Sequence, residues 1–114
     1  MATAPTPELA EFCIVFVTVP NETSARTIAQ SLLQAKLAAC IKSFGVDSCY
    51  HWAGEVQQDK EFQLMIKTQR SCFEQLVTHL SAIHPYELPE IVAIPIIAGA
   101  MPYLNWIEQS TKAV

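Results

Sequence analysis

From Phe12 to Val19 the chain carries no charge, and both alternating faces are apolar: Phe12, Ile14 and Phe16 on one, Cys13, Val15 and Val17 on the other. A strand of that kind belongs inside a sheet covered on both sides. Pro20-Asn21 ends it, and Asn21 suits the N-cap of a helix in which Ala25, Ile28, Ala29, Leu32 and Leu33 recur at helical spacing. Residues 38–41 return to extended structure, Phe44-Gly45 marks an irregularity, and residues 46–52 read as a strand with Val46, Ser48, Tyr50 and Trp52 on one face. Gly54 lies between two β-type patterns, so residues 53–56 predict a hairpin turn. In the return strand Phe62, Leu64 and Ile66 face one way, while Asp59, Glu61, Gln63 and Lys67 face the other with Met65 among them.

Ser71 and Glu74 have the spacing of a capping box and predict the start of a second helix, along which Phe73, Leu76, Val77, Leu80 and Ile83 form the apolar stripe. Pro85 ends it. Residues 91–97 read as another strand apolar on both faces, with Pro95 requiring a sheet edge or a strand end. Pro102 suits the first turn of a short helix through Trp106 and Ile107. The order strand, helix, strand, strand, helix, strand is the split βαβ arrangement, an α+β ferredoxin-like antiparallel sheet followed by a short C-terminal helix. Residues 1–10, rich in Ala, Pro and Thr without periodicity, predict a flexible arm, and residues 11–114 one domain.

Two helices cover only one face of such a sheet, so the second face of the first strand needs another cover. Composition points the same way: 51% of the residues are hydrophobic and only 16% charged, an excess that a small domain buries against other subunits. A net charge of −4 without any Lys/Arg run argues against nucleic-acid binding. The longest apolar run, residues 91–101, is interrupted by Pro95 and is far short of the roughly 20 residues that span a bilayer, so no membrane insertion is expected. Cys13, Cys40, Cys49 and Cys72 form no Cys-x-x-Cys pair, and the N-terminus lacks the basic start and apolar core of a signal peptide. Reduced thiols in a cytoplasmic protein follow.

The densest chemistry lies in His84-Pro85-Tyr86-Glu87-Leu88-Pro89-Glu90-Ile91. Pro85 and Pro89 push His84 and Leu88 out of the helical region, which makes this an extended loop entering a strand. Imidazole is the commonest side-chain ligand for borderline metals, so His84 is the first candidate, with Glu61, Glu87 or Glu90 as oxygen partners. His51, between Tyr50 and Trp52, suits packing better than ligation, His79 falls on the polar side of its helix, and Cys40 suits a small buried hydrophobe. No Gly-rich phosphate loop, Gly-x-Ser-x-Gly elbow or His-Glu-x-x-His pair appears, so no enzyme is expected. An acylphosphatase on this frame would need an arginine-bearing phosphate loop after the first strand, where the chain reads Thr18-Val19-Pro20-Asn21-Glu22.

The same segment resembles the signature of the CutA divalent-cation tolerance family. Thr18-Val19-Pro20, Leu37-Ala38-Ala39-Cys40, Tyr50-His51-Trp52 with Gly54-Glu55, Met65-Ile66-Lys67-Thr68 and Tyr103-Leu104-Asn105-Trp106 extend the likeness in order and spacing over residues 12–106. The resemblance implies a homotrimer whose long hairpin reaches a neighbouring chain, with Tyr50 and Trp52 as interface anchors. It also implies a part in tolerance of copper and other divalent cations, with the copper position falling on His84. Metal-binding members can carry a cysteine where this chain has Val17 and a second histidine where it has Ile83, so the site implied here is a weaker one. Cys13 shares the strand face of Val17 but lies four residues away, about 13 Å at strand rise, too far to replace it. The rival reading, by fold analogy, is a trimeric PII-type regulatory module that senses a small anionic ligand between subunits through Lys36, Lys60, Lys67 or Arg70.

Overall fold

A computed structural model describes residues 10–112. Four strands, β1 (Phe12–Val19), β2 (Cys40–Trp52), β3 (Glu55–Gln69) and β4 (Ile91–Pro95), make one antiparallel sheet in the order β2-β3-β1-β4. Helices α1 (Glu22–Gln34) and α2 (Phe73–Ile83) cover one face, and α3 (Met101–Ser110) lies against β3. This is the expected α+β, ferredoxin-like arrangement. The expected arm lies outside the described residues except for Ala10, which is buried.

The core forms where the two helical stripes meet the inward face of the sheet. Cys13, Val15, Val17 and Val19 of β1 and Leu64 and Ile66 of β3 pack with Ile28 and Leu32 of α1 and Leu76 and Leu80 of α2. Each such aliphatic side chain contributes about 1.5–3 kcal/mol by leaving water. Thr68 is buried with them, and its hydroxyl donates to the Leu37 carbonyl at 2.7 Å. Asn21 caps α1 as expected, its Oδ1 accepting the Ser24 N–H at 2.8 Å. Pro95 closes the edge strand β4, which ends there rather than running on to residue 97.

Two local expectations are corrected. Ser71 does not cap α2: Arg70–Cys72 form a 3-10 turn, the cap position falls on Cys72, and no side chain fills it. Glu74, the other half of the expected box, is drawn instead to the Arg70 guanidinium at 2.9 Å. Nor do Phe44 and Gly45 interrupt the second strand. β2 is continuous because the long partner β3 supplies a ladder along its whole length, from Cys40↔Lys67 to Trp52↔Glu55.

That pairing carries a second consequence. β1 pairs with β3 only from Phe62 onward, so among the described residues Glu55–Glu61 have β2 as their single partner strand. The hairpin thus extends roughly 20 Å beyond the sheet, at about 3.3 Å per residue. It closes in a two-residue turn, Ala53-Gly54, with φ of 52° and 79°. Both signs are those of a type I′ turn, which matches the twist of the flanking strands.

Candidate functional site

α2 stops because its last residue precedes a proline: His84 has ψ 134°, its N–H still donates to the Leu80 carbonyl, and Pro85 prevents another turn. In the extended segment that follows, positions 84 and 86 point the same way. The His84 and Tyr86 rings lie 5.1 Å apart, tilted by 45°. The Tyr86 backbone N–H donates to His84 Nδ1 at 3.0 Å, so Nδ1 carries no proton. Neutral imidazole then holds its hydrogen on Nε2, which lies 2.8 Å from the Thr18 carbonyl oxygen and donates to it. Thr18 is the residue just past the last β1–β4 pair, Val17 with Ile91. Partial burial holds the imidazole below its ordinary pKa, with the Thr18 carbonyl opposing that shift.

Tyr86 continues the chain of contacts. Its hydroxyl donates to Glu61 Oε2 at 2.5 Å, and burial followed by that carboxylate pushes the phenol's pKa well up. Glu61 is only 8% exposed, although it begins the part of β3 that β1 no longer pairs. Beside it, the Tyr50 hydroxyl donates to Asp59, whose carboxylate is the main reason that phenol is also raised. Between the loop and the hairpin lies a cleft of about 620 Å³ lined by Tyr50, Trp52, Glu61, Tyr86, Glu87 and Glu90 among others, with no lysine or arginine in its wall.

The structure therefore brings Glu61 near the His84 segment, but through Tyr86 rather than face to face. Glu87 is exposed on the cleft, and Glu90 takes a long contact from Gln63 at 3.4 Å. Among the described residues no three His, Cys, Asp or Glu side chains gather into a set that could hold a metal ion. As folded, His84, Glu61 and Glu87 do not fit one: both imidazole nitrogens are engaged, and one oxygen of Glu61 is taken by a phenol. Val17 is fully buried in the core, on the sheet face opposite Glu61, and Ile83 is exposed and apolar. His51 is exposed on the hairpin, while His79 Nε2 meets Ser31 Oγ at 2.7 Å between the two helices. Sequence reasoning counted the Tyr86 phenol among the segment's potential ligands without giving it a role, and passed over the Thr18 carbonyl. The i, i+2 spacing of His84 and Tyr86 in a proline-bounded extended segment was the available signal for the first; nothing in a sequence marks a carbonyl.

Residues 13–110 match the family described as CutA1 divalent ion tolerance protein. The chain belongs to that family. The Divalent-cation tolerance protein CutA of Thermus thermophilus is 46% identical over 86% of this chain and 96% of its own length. Protein CutA, chloroplastic, of Arabidopsis thaliana is 45% identical over 87% of this chain, which spans only 55% of that relative. The crystal structure of CutA1 from Oryza sativa superposes with a TM-score of 0.89 at 40% identity, covering 92% of this chain and 97% of its own. The CutA resemblance read from the signature pieces and the ferredoxin-like frame both stand.

Proposed function

We propose that this chain serves divalent-cation tolerance as a non-enzymatic, cytoplasmic homotrimer that meets copper and other divalent cations only weakly. The second face of the sheet carries this reading. Phe44, Tyr50 and Trp52 of β2 and Val92 and Ile94 of β4 stand on it, opposite the core under α1 and α2, with 40–51% of their surface exposed. Apolar surface of this extent, continuous across a sheet and along a projecting hairpin, is what subunits bury against one another.

The cleft's carboxylates support cation binding that is at most weak. Glu61 and Glu87 offer carboxylate oxygens at the cleft, but no preformed set surrounds them. The unpaired cysteines support a reducing compartment: none of Cys13, Cys40, Cys49 and Cys72 is in a disulfide. Against catalysis, the Ser31–His79 contact lies between helices and outside the cleft. The PII-type alternative has less support, since of its candidate phosphate donors Lys60 pairs with Asp47, Arg70 with Glu74, and Lys67 lies against the Tyr103 ring, which leaves Lys36.

Sedimentation of the purified chain at micromolar concentration tests the assembly, and calorimetric titration with Cu²⁺, Zn²⁺ and Cd²⁺ tests the cation role. A trimer is expected, weakened by Trp52→Ala by about 2 kcal/mol or more. A monodisperse monomer would remove the argument for burial between subunits.

A further inference from the structure

We infer that His84 is a positioning residue and not a metal ligand: its neutral ring ties the loop after α2 to the end of β1 and so aims the Tyr86 phenol at Glu61. This rests on the proposed cation role only in that it says which residue does not perform it.

Donors and acceptors decide the role of the ring. A metal takes a nitrogen lone pair, and neutral imidazole has one. Here that lone pair is on Nδ1 and accepts the Tyr86 N–H at 3.0 Å, while the Nε2 hydrogen points to the Thr18 carbonyl oxygen at 2.8 Å. The other tautomer would set Nδ1–H against N–H and the Nε2 lone pair against a carbonyl oxygen, breaking both contacts. Coordination at either nitrogen therefore dismantles the arrangement that orders the loop. Nearby side chains offer no compensation: Val17 is buried on the far face of the sheet, and Ile83 brings no donor.

The same contacts have a constructive reading. Residues 84–86 form a short turn closed by the ring, an imidazole version of the Asx turn. The turn fixes where Tyr86 leaves the backbone, and the phenol then reaches Glu61 Oε2 at 2.5 Å. Glu61 is a largely buried carboxylate for which no ion pair occurs among the described residues, so the phenol is the donor that holds it in the cleft wall. His84 thus shapes the cleft at one remove.

Imidazole ¹⁵N NMR of the intact chain tests this with diamagnetic Zn²⁺ and Cd²⁺, beside calorimetry on His84→Ala, His84→Asn and His84→Gln. The expected result is a His84 ring protonated on Nε2 alone at neutral pH, whose resonances stay in place at cation concentrations that saturate the calorimetric signal. Asparagine retains an acceptor for the Tyr86 N–H and glutamine a donor toward Thr18. The Tyr86 ring resonances should move in His84→Ala and return toward wild-type positions in His84→Asn, and any cation affinity lost in the first should return with them in the second. Coordination shifts at either His84 nitrogen would overturn the inference, as would a loss of 10- to 100-fold in affinity in folded His84→Asn while the Tyr86 resonances stand at their wild-type positions. If His84→Ala fails to fold, the wild-type spectrum decides alone. Calorimetry without binding would remove the cation role, yet the tautomer and the Tyr86 rescue would still confirm or refute the positioning role.

Discussion

The Tyr86 hydroxyl and the Glu61 carboxylate, 2.5 Å apart, join the loop after α2 to the root of the projecting hairpin. The bond is charge-assisted, and Glu61 is largely out of water. Tyr86→Phe should therefore destabilise the chain by about 1.5–3 kcal/mol, the range for losing a hydrogen bond to a charged group. Urea unfolding at neutral pH measures it. Adding Glu61→Gln to Tyr86→Phe should recover part of the loss, because the amide is cheaper to bury without a donor.

The imidazole predicts a pH dependence. In the unfolded chain His84 takes up its proton near the ordinary value of about 6.5. In the folded chain burial holds its pKa lower. Between those two values the unfolded state binds more protons, so the contribution of His84 is full above about pH 6.5 and is lost as the pH falls through the folded value. Urea midpoints at pH 7.5 and 5.5 should show a steeper fall for the wild type than for His84→Asn. Equal slopes would mean that His84 titrates alike in both states.

At the hairpin tip, Ala53 holds φ 52°, where an L side chain with a Cβ is strained. Ala53→Asn would create the Asn-Gly pair that type I′ turns prefer, and should raise stability by roughly 0.5–1 kcal/mol. A thermal melt read at fixed protein concentration checks the sign.

Thiol reactivity should follow burial. Cys49 is exposed, whereas Cys72 is fully buried and Cys13 nearly so, its pKa pushed up to about 11 by burial. A disulfide reagent should label Cys49 in the native protein and reach all four thiols only after denaturation. Two or fewer reactive thiols in denatured protein kept without reductant would show disulfides and undo the cytoplasmic reading.

The fold was legible wherever periodicity and termination agreed. The alternation of β1, the stripes of α1 and α2, and the stops at Pro20, Gly54 and Pro85 each acted locally, so the sequence shows them. Ser71 misled because the capping-box pattern ignores Arg70, which competes for Glu74. Phe44-Gly45 misled because continuity of β2 is imposed by a partner strand, a long-range effect. The site was legible as a location and not as an arrangement. Residue types marked His84 and Glu61, but the occupation of both ring nitrogens depends on a backbone N–H and on a carbonyl from β1, groups that every residue type shares.

The unsupported stretch of β3 has a consequence for the life of the chain. A two-stranded ribbon standing alone in water is at best marginally stable. From Glu55 to Glu61 the hairpin has no third strand among the described residues. In the proposed trimer a neighbouring subunit would supply that order, which would make chain abundance an input to the folded shape: scarce subunits would fray from the tip inward, and the cleft wall at Tyr50 and Trp52 would loosen first. The cleft would be complete only where the chain is plentiful enough to have company.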